Sequence, residues 1–280
     1  MEMNLPKLCE IFECEQPVSL KAAKYVASSY YFFDEQQDAN NCAFVTACNF
    51  KYFDGVVKLY KSMQKVNSKY PLICICLDTT TDEQRQHLVE LGIEVVNMEL
   101  SSIYNPYNPK WTEAFAKLDL WKWTAFDRLC WIDSDIIMLQ NCDELLSIPV
   151  VEDGLACAVD GREGRPPIPT PHTSNTPFRM LFTGLFVLKP SMATYNKHQN
   201  LLGKIPSYDG GDQGFLTSVF AREHFKNVKF LSPLYDYSIR RIKIESRLDE
   251  VKCLHFVGHP KPWFGGQKGF ESVQKLWDDI

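Results

Sequence analysis

From residue 42 onward, short apolar runs alternate with longer stretches in which apolar residues recur every three or four positions. Residues 43–48, 71–77 and 93–98 are runs of strand length, the second rich in Ile and Cys. Between them, 53–67 places Val56, Val57, Leu59, Tyr60, Met63 and Val66 at helical spacing, and 82–91 is amphipathic. Near-continuous apolar strands separated by helices belong to a parallel sheet covered on both faces. A Pro- and Asn-rich loop at 104–109 leads into a helical stretch, 112–126, and a fourth apolar run, 129–132. The pattern predicts a doubly wound α/β sheet in the first half, with ligands at the carboxyl ends of its strands.

The second half is less regular. A Gly- and Pro-rich loop at 161–177 is long enough to be functional or mobile, and it precedes a strand at 184–188, a helix at 212–221 and a strand at 252–257. The opening residues differ from both halves. Residues 18–33 read as a helix ending in Tyr30, Tyr31, Phe32 and Phe33, and 34–41 as a polar linker. Residues 1–40 are therefore expected to be a helical appendage on a domain formed by 41–280.

Composition narrows the class. At 45% hydrophobic and 23% charged, the 280-residue chain is that of an ordinary globular protein and not of a disordered one. Thirty basic against 35 acidic residues give a net charge of -5, which removes the broad positive field that non-specific nucleic-acid binding needs. No run approaches the ~18 apolar residues of a membrane span. Six of the ten cysteines follow apolar neighbours, as in Cys74-Ile75-Cys76, where buried thiols behave as small hydrophobes. They form no CxxC pair and no zinc-ligand spacing. Residues 1–15 carry charges and Pro6 among their apolar positions, unlike a signal peptide, and no N-x-Ser/Thr sequence occurs. A reducing, cytoplasmic setting is expected.

Three segments carry candidate chemistry. The apolar run Leu129-Cys130-Trp131-Ile132 ends in Asp133-Ser134-Asp135, and a strand continuing to Asp135 would put both carboxylates on one face. Paired carboxylates resist joint ionisation unless a cation lies between them, and oxygen ligands suit Mg²⁺ or Mn²⁺; the alternative is a solvated turn. Tyr208-Asp209-Gly210-Gly211-Asp212-Gln213-Gly214 sets two acids around a Gly-Gly turn at a helix start, where free amides suit an anionic or hydroxyl-rich ligand or where Asp212 simply caps the helix. The segment from His255 to Trp263 offers an imidazole, the close backbone approach of Gly258 and the cation of Lys261. His255 and His259 are four apart, but Pro260 and Pro262 exclude the helix of a zinc-protease pair.

In this order the motifs resemble glycosyltransferase family 8, the glycogenin and galactinol-synthase-like retaining enzymes. The resemblance runs from about residue 42 to 263. It rests on Phe44-Val45-Thr46 with Asn49 and Tyr52, Lys117-Leu118 before Trp121, Asp133-Ser134-Asp135, Thr183-Gly184-Leu185-Phe186-Val187 with Pro190-Ser191, the 209–214 acidic turn, and His255-Phe256-x-Gly258-x-x-Lys261-Pro262-Trp263. It implies one GT-A-type, Rossmann-like α/β domain with a mixed, mostly parallel sheet and helices on both faces. It further implies a divalent metal, Mn²⁺ with Mg²⁺ as the alternative, held by Asp133, Asp135 and His255 on the diphosphate of a UDP-sugar. Gly258 and Lys261 match diphosphate contacts, Thr46, Asn49 and Tyr52 the uridine pocket, and Ser134 lies within the nucleotide-sugar motif. Lys117, Asp160, Asp209, Asp212 and Gln213 match positions around the donor sugar and reaction centre. Lys117, Asp160, Asp212 and Gln213 are the catalytic candidates.

Two departures bear on substrate. In the stretch following the strand that ends near Tyr235, Ser238-Ile239-Arg240-Arg241-Ile242-Lys243 holds no tyrosine of the kind that glycogenin glucosylates, and the chain lacks a glycogen-synthase-binding tail, so a self-glucosylating primer is not expected. Phe182-Thr183-Gly184 stands where family members commonly carry Asn before a small residue and Gly, which leaves the hexose open between glucose and galactose. The acceptor is open among glycan, protein, lipid and small polyol, as is an oligomer. Arg240, Arg241, Lys243 and Arg247 with Trp111, Trp263 and Phe264 could border its groove. The competing function is a catalytically silent nucleotide-sugar-binding or regulatory protein of the same fold. A sugar-phosphate nucleotidyltransferase would need a Gly-rich basic loop after the first strand, and Cys48-Asn49-Phe50-Lys51-Tyr52 is not one.

Overall fold

A computed structural model describes residues 36–160, 180–223, 225–241 and 248–280. The helix expected at 18–33 and the loop at 161–177 lie outside these residues. Along the chain run β1 (Cys42–Cys48), α1 (Phe53–Lys65), β2 (Leu72–Leu77), α2 (Asp82–Glu90), β3 (Glu94–Met98), β4 (Arg128–Ile132), β5 (Ile136–Met138), β6 (Leu155–Asp160), β7 (Met180–Leu188), α3 (Met192–Leu201), α4 (Asp212–Ala221), β8 (Val228–Phe230), β9 (Tyr237–Ser238), β10 (Cys253–His255) and α5 (Glu271–Asp278).

A seven-stranded sheet in the order β3-β2-β1-β4-β7-β6-β8 forms the frame. It is mixed and mostly parallel: β7 runs antiparallel to both neighbours, β4 and β6, and the other pairings are parallel. Alternation along β1 explains why both faces are covered. Cys42, Phe44 and Cys48 pack with Val56, Leu59 and Met63 of α1 on one side. Ala43 and Val45 pack with Phe115, Leu118 and Trp121 and with Phe215, Leu216 and Val219 of α4 on the other. Strands buried on both faces need apolar residues at every position, which is why β2 reads Leu-Ile-Cys-Ile-Cys-Leu and is buried throughout. The helix α2 starts with a full capping box, in which Thr81 and Gln84 bond each other's backbone amides.

A second sheet of three short strands, in the order β5-β10-β9, sits beside the first. β10 pairs antiparallel with β5, setting His255 opposite Ile136, and parallel with β9, setting His255 beside Ser238. No helix among the described residues is long and apolar enough to cross a membrane.

The structure departs from the sequence reading in three places. The helical stretch expected at 112–126 is a 3₁₀ helix over Glu113–Lys122, with Phe115, Ala116, Lys117, Leu118, Leu120 and Trp121 all buried. A segment enclosed on nearly every side takes its winding from tertiary packing, not from an amphipathic stripe. The strand expected at 184–188 begins at Met180, and the one expected at 252–257 is confined to Cys253–His255.

Phe186 is fully buried with its ring stacked on Trp121 at 6.0 Å, whereas Phe264 is 59% exposed. Phe186→Ala is expected to cost about 3–5 kcal/mol and Phe264→Ala less than about 0.5 kcal/mol in urea unfolding. Equal midpoints for the two variants would contradict this packing.

Candidate active site

The strand order dictates where the site lies. The chain steps outward from β1 to β3 and returns on the opposite side of β1 with β4, so β1 and β4 diverge at a topological switch point, where open α/β sheets bind ligands. Thr46 is the fifth residue of β1, fully buried, and its hydroxyl has no hydrogen-bond partner among the described residues. Asn49 shapes the loop that follows. Its Oδ1 accepts from the amides of Lys51 and Tyr52, both at 2.9 Å, and its Nδ2 donates to Glu113 Oε2 at 2.5 Å. The Tyr52 ring meets Trp263 edge-on at 5.4 Å. Burial, and then the carboxylates of Asp135, Asp133 and Glu113, push the Tyr52 phenol pKa well up and keep it protonated.

The two acids after β4 do not lie on a continuing strand. β4 stops at Ile132, the amide of Ile136 donates to Asp133 O at 3.0 Å, and Asp133–Ser134–Asp135 form the turn into β5. The Asp133 amide donates to Gly184 O of β7 at 2.7 Å, which ties the turn to the sheet. The carboxylates converge because β10 lays His255 against this turn. One ligand atom each from Asp133, Asp135 and His255 fall within 4.8 Å of one another. Two carboxylate oxygens and an imidazole nitrogen so grouped suit a hard or borderline divalent cation, and the residues fit such an ion.

Each acid has its own cation. Asp133 Oδ1 accepts from Trp131 Nε1 at 2.6 Å and from Lys117 Nζ at 3.3 Å. Lys117 also lies 2.9 Å from Asp212 Oδ2 and donates to Thr183 O at 3.1 Å. Burial opposes its charge, but Asp133 and Asp212 outweigh that and raise its pKa. The Thr183 hydroxyl donates to Asp212 Oδ2 at 2.7 Å, so β7 orients the acid at the start of α4. On the other side, Asp135 is bonded by Lys261 and lies 3.2 Å from His255 Nε2. Burial disfavours its charge, yet His255 and Lys261 hold its carboxyl well below the usual range. Lys261 further donates to Phe256 O at 3.0 Å. His255 Nδ1 is 2.7 Å from Oδ1 of Asp236, whose Oδ2 accepts from the Leu185 amide at 3.0 Å. Burial lowers the imidazole pKa, but Asp135 and Asp236 overcome it and push it up to about 10.

Sequence reasoning missed Asp236, a fully buried acid. The available signal was a lone carboxylate between two aromatics in the apolar stretch Leu234-Tyr235-Asp236-Tyr237-Ser238-Ile239. It also did not foresee the local work of Asp209, whose Oδ1 accepts from the amides of Gly211 and Gly214 at 2.8 and 3.1 Å and so caps α4 from outside the helix. Asp212 is the first helical residue and Gly211 the cap position. Gln213 Nε2 donates to Tyr208 OH at 2.8 Å. Ser134 is buried in the turn between the acids. Gly258 has φ +89°, a left-handed conformation that favours glycine, and the Arg240 guanidinium lies against its bare Cα. Asp160 ends β6, opposite Met180, and its side chain is outside the described structure. Of the basic strip, Arg240 is exposed, while the side chain of Arg241, together with Lys243 and Arg247, is outside it.

The family model for glycosyl transferase family 8 matches residues 43–266, most of the chain. The chain belongs to glycosyltransferase family 8. It is 27% identical over 266 residues to galactinol synthase 3 of Arabidopsis thaliana, covering 81% of this chain and 77% of that protein. Against human glycogenin-1 it is 27% identical over 235 residues, and the match spans 62% of the glycogenin. The glycosyltransferase GlyE of Streptococcus pneumoniae TIGR4 superposes with a TM-score of 0.59 over 87% of this chain at 16% identity, so the fold is that of the GT-A glycosyltransferases. This chain spans 61% of the GlyE chain.

Lys117 is the cation that neutralises two acids, one of them the buried Asp212. Lys117→Ala is expected to destabilise the protein by about 3–5 kcal/mol in urea unfolding, because a buried carboxylate would lose its counter-charge. An unchanged midpoint would mean that the acids do not depend on it.

Proposed function

We propose that this protein is a metal-dependent retaining transferase that moves a hexose, glucose or galactose, from a UDP-sugar to an acceptor hydroxyl. The observation that carries the reading is the meeting of Asp133, Asp135 and His255 at the switch point of a family 8 fold. Mn²⁺, or Mg²⁺ in its place, would be held by these three side chains and would supply charge neutralisation for the departing diphosphate. Lys261, beside Asp135, is the protein's own cation for that diphosphate, and Gly258 offers it a bare backbone. Thr46, Asn49 and Tyr52 line the side of the switch point suited to the uridine. Lys117 fixes Asp133 and Asp212 relative to each other, so that the metal side and the sugar side of the donor keep one spacing. Asp212 and Gln213, at the start of α4, are the groups offered to the hexose, with Asp209 holding the helix start that presents them.

The catalytic domain is taken as residues 41–280, with 1–40 as an appendage. Galactinol synthases and glycogenin among the relatives support a hexose donor, while the lack of tyrosine in 238–243 supports a reading other than a self-glucosylating primer. The eight described cysteines are all buried free thiols, which supports a reducing, cytoplasmic setting.

Asp133→Ala and Asp135→Ala are each expected to lower slow hydrolysis of UDP-glucose or UDP-galactose at least about 100-fold, by loss of charge stabilisation at the leaving group, with the circular dichroism spectrum retained. Turnover that survives these changes, or wild-type turnover indifferent to a chelator, would contradict the reading. Mn²⁺-dependent UDP binding without sugar release across a donor and acceptor panel would instead favour a silent binding protein.

A further inference from the structure

We propose that Asp236 is a positioning residue for His255, keeping a proton on Nδ1 so that Nε2, the ring nitrogen facing Asp135, is the atom offered to a cation when its own proton is displaced. This rests on the reading of Asp133, Asp135 and His255 as a divalent-cation site. Three contacts fix the ring. The Phe182 ring covers one face, centroids 5.3 Å apart and planes within 26°. Gly184 leaves the space for its edge, since a Cβ there would lie 2.4 Å from His255 Cε1 and 2.7 Å from Nδ1. Asp236 Oδ1 lies 2.7 Å from Nδ1.

The carboxylate is itself held. The Leu185 amide donates to Asp236 Oδ2 at 3.0 Å, so Oδ1 is turned to the ring while Oδ2 is tied to the main sheet. An ionised carboxylate only accepts hydrogen bonds, so the shared proton belongs to Nδ1 when the imidazole is neutral. Nε2, 3.2 Å from Asp135 Oδ1, is then left as the ligand atom. A carboxylate behind a metal-ligating histidine fixes its tautomer and raises its basicity, and losing such a partner typically costs 10–100-fold in metal affinity. Phe182 takes on a defined role in the same arrangement. On alternating positions of β7, Phe182 and Gly184 form the slot for His255, while Thr183 faces Asp212.

The test is Mn²⁺ affinity, read from the paramagnetic resonance signal of free Mn²⁺ in the presence of UDP. Wild type must bind first; no binding there would remove the metal reading itself. Asp236→Ala is expected to weaken binding about 10–100-fold, and Asp236→Asn to recover only part of it, because its single oxygen can accept from Nδ1–H or from the Leu185 amide but not from both. An alanine variant that folds and binds Mn²⁺ within about twofold of wild type would overturn the proposal. A purely structural role would lower the melting temperature and leave the affinity of the folded protein unchanged. If the alanine variant does not fold, ¹⁵N NMR of the histidine-labelled wild type with UDP and Cd²⁺, a diamagnetic stand-in, decides it: a proton on Nδ1 alone is expected, and a proton on Nε2 contradicts it.

Discussion

Four carboxylates, those of Asp133, Asp135, Asp212 and Asp236, crowd one end of the sheet, and three of them are almost completely buried. Acids so close disfavour one another's ionisation and lose hydration, so the arrangement requires cations brought to them. Lys117 comes from the 3₁₀ segment, His255 from β10, and Lys261 from the turn beyond it. None of these is near its partner in sequence. The second sheet makes sense in this light, for β5, β9 and β10 are short, buried strands that bring Asp135, Asp236 and His255 to one point. The register of His255 opposite Ile136 and beside Ser238 is what closes the site.

The cations fall into two groups with different freedom. Lys117 is engaged by two carboxylates and a backbone carbonyl and lies over the Trp131 ring, so it serves as a fixed spacer between the β4 turn and the start of α4. Lys261 and His255 share a single acid, Asp135. Under the proposed function, binding of a donor gives Lys261 a diphosphate in exchange for that acid, and frees Asp135 and His255 Nε2 to act as ligands. A buried ion pair adds little net stability compared with apolar packing, but it keeps groups charged and spaced for a ligand that replaces one partner.

Much of this was legible in the sequence where a pattern repeats. β1 to β4, α1, α2 and α4 follow from apolar runs and helical spacing, because each buries an extended, regular face. The residues that meet at the site, Lys117, Asp133, Asp135, Asp212, His255 and Lys261, were legible as motifs in a family order. What was not legible depends on contacts between distant residues. β5 and β9 are three and two residues long, too short for any period. Asp236 has no spacing partner and acquires its role only through the register of β9 against β10. The 3₁₀ segment carries helical spacing but is wound by what surrounds it, and the cap formed by Asp209 is indistinguishable in sequence from a ligand contact.

The most direct measurement is anomalous diffraction at the manganese edge from crystals grown with Mn²⁺ and UDP. The expected result is one peak within bonding distance of Asp133, Asp135 and His255 Nε2, with Lys261 moved from Asp135 onto the diphosphate. A nucleotide bound with Lys261 still on Asp135 and no peak among those three side chains would contradict it.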